Sequence, residues 1–301
     1  MLSLSLQLAI AAASAASVAA LPPHDARTSL LARQSNDQPI KVTDYSAYPD
    51  PARWSQAAYC NVQSGDNVNN ANVIKTFGDG SDTPYAYVAW HEASNRVVVS
   101  HEGTDPSKFQ SIENDADFAL APLDSRLNGC LDGASQLHHG FQDTWTHTAD
   151  DILSTVSDQL SQHQGASVLV TGHSLGAAIA SLDHAYLTCK LSGTTVRAIV
   201  FGQPRTGNLA FANSVPAYEH FNNGDDLVPR VPPRADDISS ANDGYWHAAG
   251  ELWQKAADEV SSLVSCPGQE NSNCIDGQGT VNIIDHLGVY AGVTIGGTPD
   301  C

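Results

Sequence analysis

The sequence predicts an α/β fold with a mostly parallel central sheet covered by helices on both faces. Apolar, β-branched runs of strand length recur at Arg96–Ser100, Val168–Val170 and Val196–Phe201, as strands buried on both faces require. Helical patterns separate them, at Phe141–His163 and from Leu175 onward. Such strand–helix–strand alternation gives parallel strands joined by crossover helices. A third observation is Gly172-His173-Ser174-Leu175-Gly176, set between the run Val168–Val170 and an alanine-rich helical pattern. A Gly-x-Ser-x-Gly step in that context places the serine on a sharp strand-to-helix turn with its hydroxyl presented outward.

The elements follow in chain order. Met1–Ala20 is an apolar Leu/Ala/Ser stretch ending in small residues, which reads as a secretory signal peptide, though no Lys or Arg precedes it. Residues 21–40 are polar and irregular, a propeptide or loose tail, and 41–301 form one domain. Pro51–Cys60 reads as a helix with proline in its first turn, followed by a polar loop rich in Asn, Asp and Gly. Tyr85–Trp90 and Arg96–Ser100 make a hairpin about Ala93-Ser94-Asn95. Ser107–Leu120 reads as a short helix with a narrow apolar stripe among acids. Phe141–His163 carries Trp145, Ile152, Val156 and Leu160 on one face, an amphipathic helix. Gly207–Val215 is a further helix, and Gly244-Tyr245-Trp246-His247 an aromatic strand.

Composition narrows the function. The net charge of -19 excludes nucleic acid and anionic membranes as partners. After the leader, no stretch is long and apolar enough for a transmembrane anchor. Six cysteines behind a leader point to an extracellular, disulfide-bonded chain.

The elbow supplies a nucleophile, Ser174, and the Leu175 N–H stands at a helix N-terminus where it can bond a developing oxyanion. A serine hydroxyl needs a histidine to take its proton and a carboxylate to orient that histidine. On such an elbow the chain order is serine, acid, histidine. Asn222–Pro233 offers Asp225 and Asp226 in a proline-stiffened loop. Beyond it stand His247 and His286; the residues alone leave both choices open. The pair His138-His139 has no carboxylate or cysteine partner at ligand spacing, so no metal is expected.

Val168–Ala180, Asp225–Pro233 and Asp285–Tyr290, with Tyr59-Cys60, Gly103-Thr104, His138–Phe141, Phe201–Asn208 and Tyr245-Trp246 between them, resemble the class 3 lipases. These are secreted fungal triacylglycerol lipases with an α/β-hydrolase core, and the likeness spans roughly residues 45–301. It implies a catalytic triad of Ser174, Asp226 and His286, an oxyanion hole from Thr104 and Leu175, and hydrolysis of acylglycerol esters without a cofactor. The expected partner is an ester substrate at a lipid–water interface, and the expected state a monomer. Ser107–Leu120 corresponds to the family's lid, but its acidity predicts weak interfacial activation. Feruloyl esterases share these motifs and are the alternative within enzymes; a non-catalytic binding protein is the alternative outside them. The resemblance also implies Cys60–Cys301 and Cys266–Cys274 bridges. Cys130 and Cys189 are then left to a third bridge or to free thiols.

Overall fold

The computed structural model describes residues 37–104, 118–234 and 244–296. Met1–Ala20, read from sequence as a leader, the acidic stretch up to residue 117 and Cys301 lie outside them.

The strands in chain order are β1 (Ile40–Lys41), β2 (Asn67–Val68), β3 (Ala71–Phe77), β4 (Ala86–His91), β5 (Arg96–His101), β6 (Leu120–Pro122) and β7 (Gln136–His138). They continue with β8 (Ser167–Gly172), β9 (Val196–Phe201), β10 (Glu219–Asn223), β11 (Glu251–Gln254), β12 (Leu263–Ser265), β13 (Val289–Tyr290) and β14 (Val293–Thr294). Ten of them form one sheet in the order β1-β12-β11-β10-β9-β8-β5-β4-β3-β2. The centre is parallel, β5 through β8, β9 and β10 to β11, while the flanking pairs are antiparallel. The β-branched runs are therefore the middle of the sheet, where both faces are covered.

Side chains alternate between two cores. Val97, Val99, Val168 and Val170 face one hydrophobic cluster, and Val98 and Leu169 the other. The first is covered by α2 (His139–Thr146), α3 (Ala149–Gln162), α4 (Leu175–Lys190) and α5 (Leu209–Ser214). The second is covered by α1 (Pro49–Ala57), through Ala52 and Trp54, and by Tyr290. Helix α4 is buried along nearly its whole length, because it lies beneath α2 as well as on the sheet.

Several elements differ from expectation. Phe141–His163 is not one helix but two, α2 and α3, meeting at His147-Thr148. Thr148 followed by Asp150 and Asp151 in the next turn is a helix-start signal that outranks the apolar period. The break lets Trp145 donate its indole N–H to Asp183 Oδ1 at 2.7 Å while Ile152 and Val156 reach the same core. Helix α5 starts after Asn208, whose side chain accepts the Phe211 N–H at 3.0 Å. Strand β3 lies inside the supposed polar loop; a register shift between Val73 and Lys75 breaks its alternation. Gly244–His247 makes only isolated bridges, Gly244 to Arg234 and Trp246 to Gly207. The His247 N–H goes to Glu270 Oε1 at 2.7 Å rather than into a ladder. The strand of that region is β11.

Cys130 is bonded to Cys189, fastening the loop before β7 to the end of α4 across 59 residues. Cys266–Cys274 closes a loop of sequence separation 8. Cys60 is disulfide-bonded; Cys301, its expected partner, lies outside the described residues. The segment read as a lid is described only from Phe118, whose carbonyl accepts the Tyr245 hydroxyl at 3.0 Å.

Candidate active site

Ser174 stands at the junction of β8 and α4 with φ 59° and ψ -128°. A non-glycine residue in that region carries roughly 1–3 kcal/mol of strain, held only by the surroundings. Its N–H bonds the Phe201 carbonyl at 3.0 Å, and its own carbonyl accepts the Ala177 N–H at 2.9 Å. The two glycines of the motif make the turn possible. A Cβ on Gly172 would overlap the Gly176 carbonyl, and one on Gly176 would overlap the carbonyl oxygens of His101 and Glu102. Strand, turn and helix thus touch backbone to backbone, and the Leu175 N–H opens α4 without an intrahelical acceptor, as every first helical N–H does.

The histidine comes from α6 (Ile283–His286), a single turn whose Asn282 side chain accepts the Ile284 N–H at 3.0 Å. His286 is fully buried, and its Nδ1 lies 2.7 Å from Oδ2 of the equally buried Asp226. That carboxylate is held at both oxygens. Oδ1 accepts the Val228 N–H at 2.8 Å, and Oδ2 also accepts the Tyr290 hydroxyl at 3.0 Å. Burial beside this carboxylate pushes the Tyr290 phenol well above its usual range, so it stays a donor. With the acid as acceptor, Nδ1 of His286 carries the proton and Nε2 is the basic nitrogen.

The same ring lies against the elbow. Its centroid is 4.4 Å from that of His173, the residue preceding Ser174. A Cβ on Gly202 would stand 2.8 Å from His286 Cε1, and Gly202 follows the Phe201 whose carbonyl anchors Ser174. Gly202 has φ 53°, a conformation that also favours glycine. Ser174 after β8 and Asp226 after β10 thus flank the end of β9 at Phe201-Gly202, against which helix α6 lays the His286 ring.

The remaining sequence candidates separate cleanly. Asp225 is half-buried and turned away, accepting the Thr280 hydroxyl at 2.5 Å, with its N–H on Asp285 Oδ2 at 2.8 Å. His247 bonds the Pro229 carbonyl at 2.8 Å and stacks on His220 at 4.8 Å; burial lowers its pKa. Thr104 is half-buried and follows Gly103, where a Cβ would overlap the Tyr59 hydroxyl and come 2.9 Å from Ser174 Cβ. The backbone at Gly103, just before Thr104, thus lies against Ser174. Among the described residues, Glu251, Cys266 and Cys274 lie at metal-ligand spacing, but the two sulfurs are bonded to one another and supply no thiolate.

Sequence reasoning missed Tyr290, the second donor to Asp226. Its signal is an aromatic four residues after His286, at the end of the stretch Asp285–Tyr290 that carries the family resemblance. It also missed Arg205, whose guanidinium donates to the Arg230 and Pro232 carbonyls at 2.6 and 2.9 Å, stiffening the loop that carries Asp226. Arg205 is fully buried and pairs with Glu270 at 2.8 Å and Asp276 at 2.9 Å. That pairing holds the Glu270 carboxyl down to about 2 against the cost of burial.

Residues 98–236 match the family model described as Lipase (class 3). A secreted mono- and diacylglycerol lipase of Malassezia globosa is 32% identical over 279 residues, covering 88% of each chain. The crystal structure of a lipase from Rhizopus microsporus var. chinensis superposes with a TM-score of 0.74 at 25% identity, over 87% of this chain and 92% of that one. A triacylglycerol lipase whose catalytic centre is formed by a serine protease triad superposes with a TM-score of 0.71 at 26% identity, over 86% of this chain and 98% of its own.

Proposed function

This chain belongs to the class 3 lipase family, and we propose that it is a secreted hydrolase of acylglycerol esters acting through Ser174, Asp226 and His286. The observation that carries the assignment of residues is the buried Asp226–His286 pair at 2.7 Å, seated against the strained elbow of Ser174.

In the first half-reaction Ser174 Oγ attacks the ester carbonyl carbon while His286 Nε2 takes the hydroxyl proton. The oxygen of the tetrahedral intermediate becomes an anion, and the N–H groups of Leu175 and Thr104 receive it. Preorganised donors of this kind contribute roughly a hundredfold or more each. His286 then gives its proton to the leaving glycerol oxygen, and the acyl group remains on Ser174. Water, deprotonated by His286, attacks the acyl carbon and releases the fatty acid. Asp226 keeps Nδ1 of His286 protonated and stabilises the transient imidazolium.

The relatives named as mono- and diacylglycerol lipases support partial glycerides as the substrate class. A neutral ester suits a chain with net charge -19. Met1–Ala20 is read as the leader that exports it, and among the described residues no helix is long and apolar enough to cross a membrane. A fluorescent serine-directed phosphonate should label Ser174, confirmed by peptide mass, and abolish release of fatty acid from monoolein and diolein. Turnover of methyl ferulate with no release from either glyceride would replace this reading with that of a feruloyl esterase. Absence of label on Ser174 would remove the triad.

A further inference from the structure

His173, the variable residue inside the elbow, has no part in the chemistry above, yet it is fully buried and bonded at both ring nitrogens. Nε2 lies 2.9 Å from the main-chain carbonyl oxygen of His286, and Nδ1 lies 2.7 Å from the Tyr59 hydroxyl. A carbonyl only accepts, so Nε2 must carry the proton. In a neutral ring Nδ1 is then an acceptor, and the Tyr59 O–H is the donor. The tautomer of His173 follows from these two contacts, opposite in sense to that of His286.

The surroundings keep the ring neutral and fixed. From α6 the His286 ring faces it, and from β13 the Tyr290 ring at 5.5 Å. The Tyr59 ring lies on the α1 side at 5.9 Å, and a Cβ on Gly296 would stand 2.8 Å from Cε1. Among the described residues, the charged groups acting on this cluster are Asp226, bonded to Tyr290 and His286, Asp285, whose charge acts on Tyr290, and Glu102, whose charge acts on Tyr59. Burial, with the neighbouring His286 second, drives the His173 pKa well below its usual value. Burial likewise raises that of Tyr59 above the phenolic range. When His286 becomes an imidazolium during turnover, its ring neighbour stays uncharged.

Tyr59 has a second contact. Its hydroxyl sits where a Cβ on Gly103 would lie, so it packs against the strip that presents Thr104. Two sides of the site therefore converge on one hydroxyl–imidazole pair: the oxyanion strip on the Tyr59 end, and the main chain of His286 on the His173 end.

We propose that Tyr59 and His173 form a positioning relay that fixes the His286 backbone and the Gly103-Thr104 strip relative to Ser174. It rests on the triad reading given above. Neither residue touches the reacting atoms. The relay acts by holding the base and the oxyanion donors in register, and misplacement by about 1 Å costs on the order of a hundredfold in rate.

The test uses the full-length secreted protein and a soluble short-chain ester, so that interface quality does not enter. His173→Leu, which keeps bulk and removes the donor, should lower kcat by roughly ten- to hundredfold with KM within about twofold. His173→Gln, which returns an N–H near the Nε2 position, should recover much of the loss, which a purely space-filling role would not predict. Tyr59→Phe should reduce kcat less and leave KM alone. In ¹⁵N spectra of histidine-labelled wild type, His173 should remain the Nε2–H tautomer from about pH 5 to about pH 9. In Tyr59→Phe the His286 carbonyl still requires the Nε2 proton, so that tautomer should persist while the Nδ1 resonance shifts on losing its donor. Should His173→Leu fail to fold, the Tyr59→Phe kinetics and the wild-type tautomer decide. Full kcat in a folded His173→Leu or in Tyr59→Phe, a loss confined to KM, or a proton on Nδ1 of His173 overturns the relay. A wild type that neither turns over ester nor takes the phosphonate label overturns the triad reading, and the relay's catalytic role with it.

Discussion

Replacing Asp226 by Asn removes one charge and one acceptor from a carboxylate whose two oxygens have different partners. Oδ1 receives the Val228 N–H at 2.8 Å, while Oδ2 receives both His286 Nδ1 and the Tyr290 hydroxyl, at 2.7 and 3.0 Å. If the amide keeps its oxygen toward Val228, its NH₂ points at Nδ1. His286 must then carry its proton on Nε2, facing the serine it is meant to deprotonate. If the amide flips, its NH₂ meets the Val228 N–H, and two buried donors oppose one another. The first arrangement leaves no competent base; the second keeps Nδ1 protonated but opposes two buried donors at a cost of about 1–3 kcal/mol, which favours the first. In a serine hydrolase the wrong tautomer lowers kcat by about 10⁴, and that is the expected loss for Asp226→Asn. Asp225 is half-buried and, among the described residues, its side chain bonds the Thr280 hydroxyl alone. Asp225→Asn should therefore stay within about fivefold, the scale of one partly exposed hydrogen bond of about 1 kcal/mol. Both variants are assayed on a soluble ester at neutral pH, with circular dichroism to show that each is folded. Comparable activity of the two, or a worse loss at Asp225, would refute the placement of the acid and the tautomer argument together.

Two further outcomes are expected. Burial, reinforced by the charges of Glu270 and Asp276, pushes the Glu251 carboxyl up to about 8 from an ordinary 4.5. Between those pH values the folded chain keeps a proton that the unfolded chain has released, so stability falls as pH rises through this window and levels off above it. The shift corresponds to an amount on the order of 4–5 kcal/mol, and in urea titrations at pH 5 and 9 Glu251→Gln should flatten that decline; an unchanged decline would show that Glu251 is not its source. Gly176→Ala, whose Cβ would overlap the His101 and Glu102 carbonyls, should cost roughly 1–3 kcal/mol and most of the esterase activity. A fully active, equally stable variant would show that elbow and strand β5 are not in backbone contact.

The parts of this protein that were readable from sequence are those where one local requirement dominates. The elbow is legible because Gly172 answers a backbone contact with Gly176 four residues on, Gly176 keeps the same turn clear of the carbonyls that end β5, and a strand and a helix flank them. The parallel centre is legible because burial on both faces forces continuous apolar runs. The choice between Asp225 and Asp226 was different. Both residues sit in the same turn, and only the direction of each side chain, one toward His286 and one toward Thr280, separates them; the family's motif carried that information and local chemistry did not. Strand β3 was lost because its bulge destroys the two-residue period, and β11 because Glu251 and Gln254 are buried polar residues in a strand that composition alone marks as surface. Glu251 survives there through hydrogen bonds from Ile275 and Asn222, at 3.2 and 3.3 Å, which lie far from it in the sequence.

What joins the legible and the illegible parts is the parallel register itself. His101 of β5 pairs with Gly172 of β8, and Phe201 at the end of β9 pairs with Phe221 of β10. The chain leaves those four strands at one end of the sheet, which sends Gly103-Thr104, Ser174, Gly202 and Asp226 to a common edge. At that edge the backbones come too close for side chains, so Gly103, Gly172, Gly176 and Gly202 are all positions where a Cβ would collide with a neighbour. The proposed nucleophile, acid and oxyanion strip, brought together by strand ends, need one more element, the histidine, from outside the parallel set. Helix α6 provides it, held by Asp226 on Nδ1 and by His173 on its carbonyl. The antiparallel strands at the sheet's edges supply none of the proposed triad or oxyanion groups, which is why a strand as hard to read as β3 leaves the proposed chemistry of the site legible.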